Sequence, residues 1–227
     1  MSVRVRLNAL LHELLPPLVF RAYRASKRVV DGISRKPDTL LDDRLFDGDD
    51  GLFKRAVVDC RFYAEYGCGK STIWMARNTQ AEILSIDTSA EWVDKVRALT
   101  ADARSLPGLA MIDLGDIGDW GWPLTYARRE YFARYAHFPW LNAEVRPDVV
   151  LIDGRFRVAC FLASLLHARA GTQILFDDYV GRPQYHVVEE FCRPTERCGR
   201  QALFIVPSDF DRRLVALEFA NFCYVKE

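Results

Sequence analysis

The segment Arg61–Asp87, RFYAEYGCGKSTIWMARNTQAEILSID, constrains the fold of this chain more than any other. It begins with a run of β-forming residues, turns at two glycines, continues as a short helix and ends in a second apolar run closed by an acid. Gly67 and Gly69 allow a sharp turn, and Ser71 or Thr72 can cap the helix. This order predicts a βαβ unit with a nucleotide-like ligand at the strand tips, facing the N-terminus of the helix.

Three details of the turn narrow the class of ligand. A dinucleotide-binding turn has a third glycine where this chain has Thr72. A phosphate-binding loop would share the Gly-Lys-Ser end found at 69–71, but it needs a glycine where Ala64 stands. Glu65 lies two residues before the first glycine, where its carboxylate would repel a chain of phosphates. The turn therefore favours a ligand that carries an ammonium group.

The sequence Glu-Tyr-Gly-Cys-Gly at 65–69, with an acid closing the next strand, resembles the first two motifs of the class I S-adenosylmethionine-dependent methyltransferases. The resemblance follows the order of elements over about residues 61–219. It implies that the first acid holds the methionine amino end, often through water, and that the second binds the ribose hydroxyls. The implied cofactor-binding residues are Glu65, Gly67, Cys68, Gly69, Asp87 and Thr88, with Asp116 and Ile117 in the loop beside the adenine, and Asp153.

The alternation of strands and helices continues to the end of the chain. A capping box at Thr88-x-x-Glu91 predicts the start of the second helix. Further strands are predicted at 109–114, 148–152, 172–176, 202–206 and 214–219. With the resemblance, this pattern predicts an α/β Rossmann-like three-layer sandwich: a mostly parallel seven-stranded sheet with a last antiparallel strand, plus an N-terminal helical extension. The predicted division is an extension and connection at 1–58 and a methyltransferase-like domain at 59–227.

Composition excludes some classes of function. Lysine and arginine together equal aspartate and glutamate, so the formal net charge is zero and no global charge pattern for nucleic acid exists. A neutral chain also has little repulsion against self-association, which leaves a homodimer open. The six cysteines form no Cys-x-x-Cys pair, which is typical of a reducing cytosol and favours a cytoplasmic protein.

Residues 1–30 combine leucines with basic residues. His12, Glu13 and the two prolines at 16–17 interrupt the apolar run that a signal peptide requires, and the segment is too short and too charged to span a bilayer. Two interpretations remain open. The segment could form helices that pack on the domain or on a partner subunit, or it could rest as a basic amphipathic segment on an anionic membrane surface.

Residues 119–142 are rich in aromatic side chains. Such a segment between the third and fourth strands could cover the substrate and stack on a flat or sugar-like group. It could equally be ordinary packing, with Tyr131 and Tyr135 one helical turn apart on a core face.

Acids follow several predicted strands: Glu65, Asp87, Asp116, Asp153, Asp177 and Asp178. In a parallel sheet they meet at one edge, where each raises the cost of ionising the others and needs a compensating partner. Asp153, Asp177 and Asp178 resemble the acidic ligands of metal-dependent O-methyltransferases, which implies a magnesium ion that positions an acceptor hydroxyl. The chain differs in having Asp178 where those enzymes have asparagine. Alternatively, Asp153 faces the methionine end and the other two cap local backbone.

The candidate catalytic residues are His186 and Asp153. His186 lies eight residues beyond Asp178, where it could act as the base for a hydroxyl acceptor. It could equally be a histidine in the first turn of a helix.

Arginines flank the same edge of the predicted sheet. Arg155, Arg157 and Arg182 could pair with Asp153 and Asp178, or they could bind a phosphate or carboxylate of the acceptor. The predicted substrate-binding residues are Arg155, Arg182 and Tyr185.

The sequence therefore predicts a methyltransferase that uses S-adenosylmethionine to methylate a hydroxyl of a small-molecule or sugar-like acceptor. Magnesium is the candidate second cofactor. Two alternatives remain. The chain could be a nucleotide-binding ATPase or kinase that works from Gly69, Lys70 and Ser71. It could also be a non-catalytic relative that binds the cofactor and serves as a regulatory module.

Overall fold

A computed structural model of the protein describes residues 40, 44–46, 49–141 and 146–226. The described residues from Arg44 onward belong to one compact unit. Both interpretations of residues 1–30, and most of the predicted extension at 1–58, lie outside the described residues. None of the described helices is long and apolar enough to cross a membrane.

Strands and helices alternate along this unit. The strands are β1 (Phe62–Tyr66), β2 (Glu82–Asp87), β3 (Gly108–Met111), β4 (Val149–Ile152), β5 (Gln173–Phe176), β6 (Glu196–Cys198) and β7 (Gln201–Ile205). The α-helices are α1 (Gly51–Ala56), α2 (Lys70–Asn78), α3 (Ala90–Leu99), α4 (Phe132–His137), α5 (Arg157–His167) and α6 (Arg212–Phe222). Short 3₁₀ turns lie at Asp119–Gly121, Arg129–Tyr131, Phe138–Trp140 and Pro183–Glu190.

The strands form one seven-stranded sheet in the order β3-β2-β1-β4-β5-β7-β6. Neighbours from β3 to β5 are parallel, and β7 is antiparallel to both β5 and β6. Tyr66 pairs with Ile86 on one side and with Ile152 on the other, so β1 is the central strand. The strand order reverses between β1 and β4, and a ligand is expected at the carboxyl ends of these two strands. The predicted seven-stranded, mostly parallel sheet of a Rossmann-like fold is confirmed.

The two faces of the sheet are buried in separate cores. On β4, Val150 and Ile152 belong to a cluster that contains α5, whereas Val149 and Leu151 belong to a cluster that contains α1 and α2. All four residues of the strand are buried, as a run with helices on both faces requires. This arrangement gives the three predicted layers.

The predicted last strand at 214–219 is wrong. These residues lie in α6, whose first turn is capped by Asp211: its carboxylate accepts from Arg213 N and Leu214 N, each at 3.0 Å. Val215 and Phe219, four residues apart, form the buried side of this helix. The seventh strand is instead β6, a short and largely exposed edge strand that the sequence pattern did not reveal.

The aromatic segment at 119–142 contributes to the core. Phe132 and Tyr135 of α4 are almost completely buried, and Trp140 is 7% exposed. Trp120, in contrast, is 78% exposed. Ordinary packing therefore accounts for the second half of the segment, while its first half lies at the surface.

Candidate functional site

The glycine turn after β1 lies directly against the loop after β4. Gly67 has φ +91°, a conformation that side chains disfavour. A Cβ added to it would lie 2.9 Å from Asp153 O and 2.9 Å from Gly154 Cα, with no flexible atom to move aside. The tips of the two strands that flank the switch point are therefore in backbone contact.

Glu65 lies beneath this turn, and its side chain is fully buried. Four hydroxyl groups donate to its carboxylate: Tyr63 (2.8 Å), Ser71 (2.6 Å), Ser85 (2.7 Å) and Thr72. Together these donors occupy all of the roughly four hydrogen-bond acceptor positions of a carboxylate. Burial raises the pKa of Glu65, and the hydroxyl donors oppose that shift. Direct contact with the ammonium group of a ligand would require one hydroxyl to leave, so the predicted role of Glu65 stays a prediction.

The hydroxyls of α2 act differently from the predicted helix cap. The helix begins at Lys70 after Gly69, and the side chains of Ser71 and Thr72 point to Glu65. Thr72 Oγ1 also accepts from Gly69 N at 2.8 Å. It therefore connects the backbone of the turn to the buried carboxylate below it.

Asp87 joins the end of β2 to the glycine turn. Its Oδ1 accepts from Thr88 N (2.7 Å) and Ser89 N (3.0 Å), and its Oδ2 accepts from Cys68 N (3.2 Å). Burial raises the pKa of Asp87, while these backbone donors and the nearby Arg155 oppose the shift. Of about four acceptor positions on a carboxylate, one at Oδ2 is left for a ligand.

The predicted capping residue of α3 is displaced by one position. Ser89, not Thr88, is the N-cap, and its hydroxyl accepts from Trp92 N at 3.3 Å. Thr88 is 5% exposed, and its hydroxyl donates to Gly121 O at 2.9 Å. The 3₁₀ turn that ends at Gly121 therefore crosses the tip of β2.

Trp92 closes the same side of the turn. Its Nε1 donates to Cys68 O at 2.5 Å, so the first turn of α3 lies over the glycine turn. The thiol of Cys68 is buried, and burial raises its pKa. The backbone N–H and carbonyl of Cys68 are also occupied, by Asp87 and Trp92, so its predicted contact with a ligand stays a prediction.

Asp116 and Ile117 follow β3 at the same edge of the sheet. Asp116 is exposed and its carbonyl accepts from Leu124 N at 2.8 Å, while Ile117 is half-buried and forms a β-bridge with Pro123. The loop therefore folds back on itself beside the tip of β2. Both residues keep their predicted position, and their contact with adenine stays a prediction.

The three aspartates of the predicted metal site do lie together, with carboxylate oxygens within 4.8 Å of one another. Three arginines interleave with them. Arg157, 3% exposed, reaches Asp153 (3.0 Å) and Asp178 (3.4 Å); Arg182 reaches Asp178 (2.7 Å); and Arg200 reaches Asp177 (2.5 Å) and Asp178 (3.4 Å). The cluster thus contains three aspartate and three arginine side chains.

This cluster does not fit a magnesium ion. Both carboxylate oxygens of buried Asp177 accept from Arg200, and Oδ1 also accepts from Gln201 Nε2 at 3.1 Å. Burial and the neighbouring Asp177 raise the pKa of Asp153, and Arg157 opposes that shift. Magnesium needs ionised oxygen ligands, and a dication would be repelled by the guanidinium groups already in place.

His186 is half-buried in the 3₁₀ turn that precedes β6. Its Nε2 lies 3.1 Å from Tyr179 O, and because a carbonyl only accepts, we assign the proton to Nε2. The acceptor nitrogen is then Nδ1. Tyr185, predicted to bind substrate, is 1% exposed, and its hydroxyl accepts from Arg182 Nη1 at 3.2 Å.

The predicted arginines have different surroundings. Arg157 and Arg182 pair with acids, whereas the guanidinium of Arg155 makes no hydrogen bond or ion pair with any described residue. It lies 5.3 Å from the ring centroid of Trp122. Burial and the nearby Arg157 lower the pKa of Arg155.

Comparison with known proteins identifies the fold. A solved methyltransferase-like protein from Silicibacter pomeroyi is similar to this chain, with 28% identity, a TM-score of 0.74, and coverage of 82% of this chain and 98% of that one. The chain has the class I methyltransferase fold. No protein-family model and no curated protein matches the sequence.

Two further solved structures are more distant. An O-methyltransferase from Bacillus cereus in complex with S-adenosylhomocysteine has 14% identity and a TM-score of 0.45, covering 80% of this chain and 97% of that one. A methyltransferase from Geobacter sulfurreducens has 15% identity and a TM-score of 0.47, covering 89% and 97%. Similarities of this size support no inference about the chemistry of this chain.

Several residues at this edge of the sheet were not predicted from the sequence. Trp92, Trp122 and Tyr135 enclose the switch point, and Arg200 neutralises Asp177 from the turn between β6 and β7. The aromatic run between the third and fourth strands signalled two of them. No sequence pattern around Arg200 indicated that it would pair with a buried acid, because a charged residue in a turn is usually solvated.

Backbone conformation marks the same edge. The non-glycine residues with positive φ in the described chain are Trp120 (59°), Phe156 (52°) and Asp178 (57°). They follow β3, β4 and β5 respectively, each beyond the carboxyl end of its strand. Such conformations cost about 1–3 kcal/mol and concentrate at ligand sites.

Proposed function

We propose that this protein binds S-adenosylmethionine at the carboxyl edge of β1, β2 and β4 and transfers its methyl group to an acceptor. The observation that carries the proposal is the 3.2 Å hydrogen bond from Cys68 N to Asp87 Oδ2. It joins the two motifs that hold the cofactor in the family that the sequence resembles. The fold, shared with a methyltransferase-like protein at 28% identity, agrees with it.

Each motif has a distinct task in this proposal. The free acceptor position of Asp87 takes a ribose hydroxyl, and the backbone of Gly67–Gly69 lies against the methionine end. Glu65 acts through the turn, because four hydroxyls enclose its carboxylate. The adenine is bordered by Thr88, Asp116 and Ile117.

The methyl acceptor is proposed to be a hydroxyl of a small molecule. Bound S-adenosylmethionine supplies an electrophilic methyl carbon, so the protein mainly has to align the two reactants. The proton of the hydroxyl passes to His186 Nδ1, since Nε2 donates to Tyr179 O. Asp153 orients this edge through its ion pair with Arg157.

Titration calorimetry with S-adenosylhomocysteine tests the proposal. Loss of a ribose partner in Asp87→Ala should weaken binding by about 1–3 kcal/mol. Because Asp87 also holds the backbone before α3, Asp87→Asn is a second variant: its Oδ1 still accepts from Thr88 N and Ser89 N, while the acceptor at Oδ2 is lost. Asp94→Ala is the matched control, since Asp94 is an exposed acid on α3 that pairs with Arg97. Equal affinity in all four proteins would remove Asp87 from the ribose role.

A phosphate-transfer function has less support. Lys70 would have to reach the phosphates from the glycine turn, but its Nζ donates to Arg44 O at 2.9 Å. Glu65 also places a carboxylate beneath that turn. Binding of ATP with magnesium that is lost in Lys70→Ala would favour the phosphate-transfer function over methyl transfer.

A non-catalytic role is the second candidate, and one observation favours it. Trp92 and Gly121 both make hydrogen bonds across the edge where the cofactor would lie. A protein that binds S-adenosylhomocysteine tightly, yet releases none from S-adenosylmethionine above background with any of a panel of phenols and sugars, would fit this role.

A further inference from the structure

We propose that Arg155 is the anion-binding residue of this site, and that the acceptor carries a carboxylate or phosphate which Arg155 holds. This inference rests on the proposed function, because it names the chemical class of the acceptor. The same chemistry has one other source, the carboxylate at the methionine end of the cofactor.

The backbone of Arg155 is held in place at the edge of the sheet where a ligand is expected. It follows β4 by three residues, on one of the two strands that flank the switch point. Its backbone is held from both sides, because Arg155 N donates to Tyr135 Oη at 3.3 Å and Cys160 Sγ donates to Arg155 O at 3.3 Å. The next residue, Phe156, is buried in a left-handed conformation. The side chain therefore projects from a rigid base.

The surrounding arginines differ from Arg155 in their partners. Arg157, Arg182 and Arg200 each contact at least one of the three clustered aspartates. The guanidinium of Arg155 is half-buried and lies against the ring of Trp122, and no described residue accepts a hydrogen bond from it. Asp87 and Asp153 are near enough to act on its charge but do not pair with it. A half-buried guanidinium whose N–H groups have lost part of their water without gaining an acceptor is costly, and an anionic ligand that accepts from them would recover that cost.

The contact with Trp122 does not use the N–H groups of the Arg155 guanidinium. A ring at 5.3 Å interacts with the positive charge, while the N–H groups lie in the guanidinium plane and need acceptors. A planar fork of N–H donors matches the two oxygens of a carboxylate or phosphate. Trp122 also offers an apolar wall for the body of the same ligand.

Neutral hydroxyl compounds fit this geometry less well. A sugar or simple phenol carries no anion to accept from the planar N–H groups of Arg155, and no described residue accepts from them either. An aromatic hydroxy acid would satisfy the guanidinium, contact Trp122 and offer a hydroxyl to methylate. The observations therefore favour an acidic acceptor over a neutral one.

The test measures binding of 4-hydroxybenzoate, phenol and inorganic phosphate to the full chain by calorimetry, with and without saturating S-adenosylhomocysteine. Arg155→Gln should weaken 4-hydroxybenzoate and phosphate by about 10–100-fold, because a charged hydrogen-bonding partner is lost. Arg155→Lys should recover part of that loss through its charge. Phenol should bind equally to the wild type and to Arg155→Gln.

Arg128→Gln is the matched control, since Arg128 forms an exposed ion pair with Asp113 and should not affect any probe. A thermal melt of each variant establishes that it is folded. If Arg155→Gln weakens S-adenosylhomocysteine but not 5′-methylthioadenosine, which lacks the amino-acid end, the anion is the carboxylate of the cofactor and the acceptor assignment is overturned.

Phosphate and 4-hydroxybenzoate affinities that agree within about twofold between wild type and Arg155→Gln would overturn the proposal, as would absence of binding of either probe to the wild type. A failure of the proposed function gives a different result from a failure of this inference. It would appear as absence of S-adenosylhomocysteine binding to the wild type, whereas the phosphate titration without cofactor still reports on Arg155.

Discussion

The backbones of Gly67 and Gly154 are in direct contact across the switch point. A Cβ on Gly67 would lie 2.9 Å from Gly154 Cα, and a Cβ on Gly154 would lie 2.9 Å from Gly67 N. Each of the two turns that a ligand must approach therefore has a glycine at the point of contact. A side chain on either glycine would push the other turn away.

Gly154→Ala is expected to destabilise the protein by about 1–3 kcal/mol, because its methyl group would overlap the Tyr135 hydroxyl and also Tyr66 C and Gly67 N, and the last two are backbone atoms that cannot swing aside. Urea denaturation measures the change. Gly181→Ala is the control: nothing lies within 4 Å of a Cβ there, so a change within about 0.5 kcal/mol is expected. Similar stabilities for the two variants would mean that the contact between the turns is loose.

Glu65 provides a prediction about pH. Its pKa is raised by burial, against the opposing effect of its hydroxyl donors. An acid with a raised pKa in the folded state contributes stability that is fully present below its unfolded-state value of about 4.3 and is lost as pH rises through the folded-state value. The free energy of unfolding of wild type minus that of Glu65→Gln should therefore be largest at low pH and fall as pH rises.

Urea denaturation of both proteins between pH 4 and pH 8 measures this difference. Glu65→Gln is itself expected to cost about 1–3 kcal/mol at low pH, since the amide nitrogen cannot accept from the hydroxyls that it faces. A difference that grows with pH would show that the hydroxyl donors outweigh burial and hold Glu65 ionised.

The local part of this fold could be predicted from the sequence. The run of four apolar residues in β4 and the glycines after β1 are sufficient to specify a buried parallel strand and a tight turn. The run at 214–219 misled because its spacing fits both a short strand and a helix. Only the cap at Asp211 and the i, i+4 pair of Val215 and Phe219 identify α6.

The acids of the site could be placed on one edge, but their partners could not. Glu65 meets Ser85 because the two residues are opposite each other in the β1–β2 register, which the sequence alone does not fix. Asp177 meets Arg200 because a hairpin folds back onto β5. From the sequence alone, a carboxylate that has a hydroxyl or guanidinium partner cannot be distinguished from a carboxylate that binds a metal ion.

The Asp177–Arg200 pair should be the most sensitive ion pair of the cluster. Asp177 is fully buried, so Arg200→Ala leaves an uncompensated charge and should cost about 3 kcal/mol. Arg197→Ala is the control, because its pair with Glu189 is partly exposed and should contribute at most about 1 kcal/mol. Urea denaturation compares the two. Asp177→Asn added to Arg200→Ala should restore part of the loss, and equal costs for the two single variants would contradict the assignment.

We expect a second pH dependence of stability, away from the site, from a pair of histidines. His137 Nδ1 and His167 Nε2 lie 3.1 Å apart, between α4 and α5. Burial lowers the pKa of both, His167 lowers that of His137 further, and Arg212 lowers that of His167. A histidine with a lowered pKa takes up its proton more readily when unfolded, so stability present above about pH 6.5 is lost as pH falls toward the folded-state value.

Thermal melts of wild type and His137→Gln between pH 5 and pH 8 measure this effect. The wild type should lose melting temperature more steeply below about pH 6.5, because the variant has one histidine fewer to protonate on unfolding. His137→Gln with His167→Gln should flatten the profile further. The ring of His137 also packs on Phe219, so the variant should be less stable at pH 8 as well, by an amount that does not change with pH. Parallel profiles for the three proteins across this range would exclude the pair as the source of the pH dependence.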